Sequence, residues 1–163
     1  MIIGFVGSGN MAAAIARGLA GEVDGILFSD SGSGRAAALA EELGGEALSN
    51  QEVAARADVV VLAVKPAALD AVAPQVQAAK EIVSVLAATP LARLRGALPE
   101  AKILRTMPNV GVEVRQGVIC VAGEASPGVR AMLDGIAHVV EIAEEDFDGA
   151  TAVMGCAPAY LAL

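Results

Sequence analysis

Met1-Ile2-Ile3-Gly4-Phe5-Val6-Gly7-Ser8-Gly9-Asn10-Met11-Ala12 decides the fold of this chain. An apolar run of strand length, Ile2–Val6, passes directly into a glycine turn, and an alanine-rich stretch of helical period follows over Asn10–Gly21. Strand, tight turn and helix in immediate succession form the first half of a βαβ unit, and that setting gives the Gly-x-Gly-x-x-Ala spacing its meaning. Gly7 permits the turn, and Gly9 lets the backbone approach a diphosphate that a Cβ would hold off. Ala12, in the third glycine's place, still allows the helix to pack closely on the strand. The free N–H groups of Asn10 and Met11 and the positive end of the helix then face the phosphates. Val6, Gly7, Ser8, Gly9, Asn10 and Met11 are therefore expected to form a dinucleotide site.

The alternation continues outward from this unit. Further strands are expected at Gly25–Ser29, Val59–Ala63, Ile82–Val85, Lys102–Thr106, Val118–Ala122 and Val139–Ile142. The helices expected between them are Gly34–Leu43, Gln51–Arg56, Ala67–Ala79, Leu91–Leu98 and Ser126–Ile136. Repeated strand–helix–strand order implies parallel crossovers, hence an α/β, Rossmann-type doubly wound, mostly parallel sheet with helices on both faces. Composition agrees: 55% of the 163 residues are apolar, yet there are only three Phe, one Tyr and no Trp, so Ala, Val, Leu and Ile must fill the core.

A formal charge of −8 without a basic patch argues against nucleic acid or an anionic membrane as partner. Cys120 and Cys156 form no Cys-x-x-Cys, and His138 stands without a ligand set, so no metal site is expected. The thiols read as reduced and the chain as cytoplasmic, with no signal peptide and no run able to span a bilayer. Residues 1–147 read as the nucleotide domain. Residues 148–163 carry no charge after Asp148 and contain Gly155 and Pro158, so they read as the start of a buried, interrupted helix of a second domain. The apolar stop at Leu163 points to truncation or to burial against a second chain.

Asp30, about 20 residues beyond the fingerprint, is placed to accept ribose hydroxyls, which favours NADH. Ser29, Ser31, Ser33 and Arg35 beside it are equally suited to a 2′-phosphate, which favours NADPH, and a plain solvated turn fits as well. Ala63-Val64-Lys65-Pro66 ends a strand at the crevice edge, where Lys65 brings a positive charge. Arg105-Thr106-Met107-Pro108-Asn109 ends another, where Asn109 offers donor and acceptor on the substrate side. His138 reads as structural or surface, and Glu144-Glu145-Asp146 as a solvated helix start. No nucleophile triad and no paired carboxylates emerge, and no catalytic residue is named.

Four ordered stretches carry a family resemblance. Ile3-Gly4-Phe5-Val6-Gly7-Ser8-Gly9-Asn10-Met11 with Ile15-Ala16-Arg17-Gly18-Leu19, Ala57-Asp58-Val59-Val60-Val61-Leu62-Ala63-Val64-Lys65-Pro66, Met107-Pro108-Asn109, and Asp148-Gly149-Ala150-Thr151-Ala152 with Pro158-Ala159-Tyr160 resemble the pyrroline-5-carboxylate reductase family over almost the whole chain. The resemblance implies an NADPH- or NADH-dependent reduction of a cyclic imino acid, 1-pyrroline-5-carboxylate, to proline, in a homo-oligomer. It also implies that Ser29 and Asn50 lie at the adenosine end, Ala63 to Pro66 along the dinucleotide, and Leu86 and Ala87 near the nicotinamide. The chain departs from the family pattern at Ala88, where Gly is usual, at Val110-Gly111 for Thr-Pro, and at Cys156-Ala157 for Ser-Gly. Because the family's helical domain dimerises and binds the imino acid, a chain that stops where that domain begins is expected to hold cofactor and catalyse poorly. Another imine or hydroxyacid reductase and a noncatalytic dinucleotide-binding module are the alternatives.

Overall fold

The computed structural model describes residues 1–156. Eight strands, β1 Ile2–Val6, β2 Gly25–Ser29, β3 Glu46–Ala47, β4 Val59–Leu62, β5 Glu81–Ser84, β6 Lys102–Pro108, β7 Gly117–Gly123 and β8 Ala137–Glu141, form one sheet in the order β3-β2-β1-β4-β5-β6-β7-β8. The order reverses between β1 and β4, so the loops after these two strands part and leave a crevice at their carboxyl ends.

Each strand's period of two divides the core. Ile3 and Phe5 of β1 and Val59 and Val61 of β4 pack on one face with α1 (Asn10–Leu19), α2 (Arg35–Leu43) and α6 (Pro127–Asp134). Val6, Val60, Leu62 and Ile82 pack on the other with α3 (Asn50–Arg56), α4 (Leu69–Val72) and α5 (Leu91–Ala97). Phe5 and Phe28 stack with ring centroids 5.3 Å apart, which ties β1 to β2 at the base of the crevice. The doubly wound sheet expected from the alternation is the one observed. No helix among the described residues is long and apolar enough to cross a membrane.

One local expectation is corrected, and two features add to the reading. β6 and β7 run antiparallel, because only residues 109–116 join them and a parallel crossover needs a dozen or more. That connector carries a 3₁₀ turn, Val110–Val114, and Arg115 in the left-handed region at φ 58°. The Arg115 guanidinium donates to the carbonyls of Gly18 (2.9 Å) and Ala20 (3.0 Å), fastening the connector to the end of α1. The helix expected over Ala67–Ala79 is broken into the 3₁₀ turn Pro66–Ala68, α4 and the 3₁₀ turn Ala73–Gln75, since the interior Pro74 lacks the N–H a continuous helix needs. β3 escapes sequence reading because its two residues are exposed and too few to show a period.

After β8 a 3₁₀ turn, Glu144–Asp146, leads into α7 (Phe147–Thr151) and a π turn, Ala152–Cys156. The start of the second segment is thus helical, whereas Pro158, Tyr160 and the expected interruption beyond Cys156 lie outside the described residues. Phe147 is fully buried against Met107 and Cys120, with Ala150 and Met154 half-buried beside it, but Asp148, Gly149, Ala152 and Val153 are exposed, so the described part of the segment is not the buried helix expected.

Ala88, on the loop after β5, takes φ 49°. A Cβ in the left-handed region costs about 1–2 kcal/mol, a cost that glycine escapes. Ala88→Gly is expected to raise stability by about 1 kcal/mol, read as a higher urea midpoint; an unchanged or lower midpoint would contradict the strain.

Candidate dinucleotide cleft

The turn after β1 is built by a close approach. Gly7 has φ 96°, and a Cβ there would meet the Ala63 carbonyl oxygen at 2.6 Å, so the turn presses directly on the loop after β4. The Gly7 N–H donates to the Ser29 carbonyl (3.0 Å) and the Ala63 N–H to the Val6 carbonyl (2.8 Å), which fixes the ends of β1, β2 and β4 together. Gly9 is the opposite case: it caps α1 at φ −76° and ψ −175°, and nothing lies within 4 Å of a Cβ added there. No side chain caps the first turn of α1, so its leading N–H groups, which have no intrahelical acceptor, open onto this free space. Open space in front of bare amides at a helix head is what a diphosphate requires.

Around it lies a cleft of about 470 Å³. The turn Gly7, Ser8 and Gly9 lines it, together with Ala63, Val64 and Lys65 after β4, Asp30 and Arg35 after β2, and Asn50. Asn10 borders the adjoining hollow, which shares Ser8, Gly9 and Arg35 with the cleft. Lys65 and Arg35 are exposed cations facing this space in a chain of charge −8. Asn50 donates from Nδ2 to Gln75 Oε1 (2.9 Å), which holds its amide at the end of the cleft.

Other expected residues stand apart. Val6 is wholly buried in β1 and contributes only backbone. The Ser29 hydroxyl donates inward to the Phe5 carbonyl (3.2 Å), so Ser29 braces β1 against β2 and its hydroxyl is not presented to an adenosine. Met11 and Pro66 do not line the cleft. Leu86 is buried and Ala87 exposed beyond the end of β5, one strand further along the sheet. Asn109 does not offer both its groups at the mouth: its Oδ1 accepts from the Val118 N–H (3.0 Å), pinning β6 to β7 and leaving only Nδ2. His138 is exposed, as expected.

Two features escape sequence reading. Ala68 and Val72 complete the cleft wall, at an i, i+4 spacing hidden inside a run that read as one long helix. Glu144 is not a solvated helix start: its carboxylate accepts from the Leu91 N–H (2.5 Å) and from Arg105 (3.0 Å). Arg105 is 4% exposed, its guanidinium lies 4.2 Å over the Phe147 ring, and its Nε has no partner among the described residues. With Ala88, Pro90 and Asp148 this pair borders a second hollow of about 350 Å³, where β5 and β6 end.

Asp30 is the site's most perturbed acid. The Ala36 N–H foremost, then the Ser33 hydroxyl and the Gly32 and Arg35 N–H groups, hold its carboxyl at about 2 against the opposing effect of burial. A folded-state value below the unfolded value of about 3.9 stabilises the fold above that pH and is lost as pH falls toward 2. Asp30→Asn is therefore expected to lower the urea midpoint at pH 6, with the gap to the unsubstituted chain narrowing between pH 4 and 2.5; a gap independent of pH would contradict this role.

Residues 2–88 match the family described as NADP oxidoreductase, coenzyme F420-dependent. The chain is 36% identical to the pyrroline-5-carboxylate reductase of Pseudomonas aeruginosa, with 99% of this chain and 65% of that protein aligned. The chain belongs to the family that the matching model describes. Pyrroline-5-carboxylate reductase 3 of Bos taurus is 33% identical, aligned over 98% of this chain and 56% of its own length. Among solved structures, the 1-pyrroline-5-carboxylate reductase of Streptococcus pyogenes superposes with a TM-score of 0.86 at 31% identity, covering 99% of this chain and 65% of that one. The pyrroline carboxylate reductase of Plasmodium falciparum, solved with NADP bound, gives 0.85 at 26% identity, covering 99% and 64%. The chain thus spans less than two thirds of the length of these pyrroline-5-carboxylate reductase relatives. The resemblance read from the four sequence stretches is borne out.

Proposed function

We propose that this chain is the dinucleotide-binding half of an NAD(P)H-dependent reductase that converts 1-pyrroline-5-carboxylate to proline. The observation that carries the reading is the unfilled space over Gly9, bounded by uncapped helix amides and two cationic side chains at the switch point of the sheet. A nicotinamide cofactor supplies the hydride when bound; the protein supplies grip, orientation and shelter from water.

The amides at the head of α1 and the Ser8 N–H hold the diphosphate, and Lys65 and Arg35 offset its charge. Asn50 and the loop with Ala63, Val64 and Lys65 flank the dinucleotide, and Pro66 stands behind that loop. Leu86, Ala87 and Ala88, with the Arg105–Glu144 pair behind them, border the side on which the imino acid is reduced, and Asn109 has one amide donor left to offer there. Residues 1–147 form the nucleotide domain, and residues from Asp148 begin a helical domain that dimerises and completes the imino-acid site, in a cytoplasmic homo-oligomer. Positioning of two reactants supplies much of an enzyme's rate, so residues 1–163 alone are expected to bind cofactor and turn over slowly.

Calorimetric titration of the chain with NADPH and with NADH tests the first half of the reading. Saturable 1:1 binding of at least one is expected, and no heat from either contradicts it. For the reaction, the protein carrying this domain together with a helical second domain is expected to oxidise the reduced dinucleotide with 1-pyrroline-5-carboxylate; turnover of a hydroxy acid but not the imine would refute that half.

A further inference from the structure

The loop after β5, residues 85–90, is held at both ends by partners far away in sequence. At its start the Val85 N–H donates to the Leu62 carbonyl at the end of β4 (3.1 Å). Inside it the hydroxyl of the buried Thr89 donates to the Ala87 carbonyl (3.0 Å), and Ala88 between them stands at φ 49°. Such a strained conformation persists only where the surroundings impose it. At the loop's other end α5 begins with no side-chain cap: Pro90 precedes it, and the Leu91 N–H has no intrahelical acceptor. The carboxylate of Glu144, 53 residues on, takes that N–H (2.5 Å).

The oxygen that caps Leu91 is itself fixed from below. Glu144 Oε1 receives both the Leu91 N–H and the guanidinium of Arg105, a buried side chain of β6 that lies under the Phe147 ring. Stability does not call for a buried charge here, since apolar side chains of similar size commonly serve it as well or better. What the pair supplies is a fixed place for one acceptor. The loop so anchored also occupies a telling position. The turn after β1 and the loop after β4 both line the dinucleotide cleft, and β5 is the next strand beyond β4. With the diphosphate over Gly9 and the adenosine toward β2, the other half of the dinucleotide runs past β4 toward the exposed Ala87 and Ala88.

We infer that Glu144 is a positioning residue for the nicotinamide half of the cofactor: it caps α5 from the turn after β8, with Arg105 fixing its carboxylate, and so sets residues 86–90 against the nicotinamide. The inference rests on the reading of the cleft as a dinucleotide site and adds a part that lies outside the cleft. The turn that leads into α7 thereby shapes the end of the cofactor at which hydride leaves.

The test is calorimetry of the full chain with whichever of NADPH and NADH it binds more tightly, and with the same molecule lacking nicotinamide, 2′-phospho-ADP-ribose or ADP-ribose. The unsubstituted chain is expected to bind the dinucleotide at least about threefold tighter than the fragment. Glu144→Ala should erase that margin and leave the fragment's affinity unchanged. Because Glu144→Ala also strands the Arg105 charge, two double variants separate positioning from stability. Arg105→Met with Glu144→Ala removes both charges and should recover most of the urea midpoint, yet still lack the margin, since the Leu91 N–H has no acceptor. Arg105→Met with Glu144→Gln returns an acceptor oxygen without charge and should restore part of the margin. A margin that comes back with stability in the first double variant, or equal losses of dinucleotide and fragment in Glu144→Ala, overturns the inference while leaving the dinucleotide site standing. Equal binding of dinucleotide and fragment by the unsubstituted chain does the same. Failure of both dinucleotides to bind that chain overturns the site itself, and this role with it.

Discussion

Gly9→Val is expected to abolish dinucleotide binding and to leave the fold standing. At φ −76° and ψ −175° the backbone of residue 9 is extended, a conformation valine adopts readily, and no atom of the protein stands within 4 Å of the new Cβ. The cost to stability is confined to a poorer helix cap, about 1 kcal/mol. The side chain instead fills the space directly before the N–H groups of Asn10 and Met11, the space assigned to the diphosphate. Without those donors and the helix end behind them, affinity should fall by roughly a hundredfold or more. Titration of the variant with NADPH, beside a circular dichroism melt, checks both halves. Undiminished affinity in a folded variant would remove the diphosphate from this turn.

The second large effect is expected from Glu144→Ala. Its carboxylate neutralises a guanidinium that is 4% exposed and also receives the Leu91 N–H that opens α5. Truncation strands the Arg105 charge, whose Nε already lacks a partner among the described residues. Breaking a buried pair from one side costs about 3–5 kcal/mol; with Glu144 partly exposed, about 3 kcal/mol is expected. Arg105→Met should cost less, because it removes the charge while keeping apolar contact with Phe147. Glu145→Ala, at an exposed neighbour, should change stability by less than about 0.5 kcal/mol. Urea unfolding of the three variants settles the order. Equal losses for Glu144→Ala and Glu145→Ala would return the acidic run to solvent.

The contrast between these two sites shows where sequence reading succeeds. Gly7 and Gly9 are legible because their role is a matter of backbone space in a short contiguous segment, and a strand before them and a helix after them suffice to state it. The doubly wound sheet is legible for the same reason, being written in local periods. What long-range partners decide is hidden. Ser29 lies in the expected strand, yet its hydroxyl turns to Phe5, a neighbour 24 residues away. Glu144 sits in an acidic run that looks like any solvated helix start, and only folding brings Arg105 and Leu91 to it. Asp30 is the intermediate case. Its partners lie within six residues, so the pinned loop is local, but Asp-Ser-Gly-Ser-Gly-Arg-Ala does not say whether the carboxylate turns inward to the Ala36 N–H or outward to a sugar.

The reversal of β7 follows from length: a connector of residues 109–116 is too short for a parallel crossover, and it joins two strands that lie side by side. Pro74 is plain in the sequence, inside a run of helical composition. The apolar period of Leu69, Val72 and Val76 outweighs it in sequence, and the broken segment preserves that period while giving up its regular hydrogen bonds.

A crystal structure of the chain soaked in NADPH would test the central claim most directly. The diphosphate is expected over Gly9, with phosphate oxygens about 3 Å from the N–H groups of Asn10 and Met11 and the adenosine running toward Arg35. Density for the diphosphate anywhere else, or a nucleotide bound with the head of α1 left uncovered, would contradict the account.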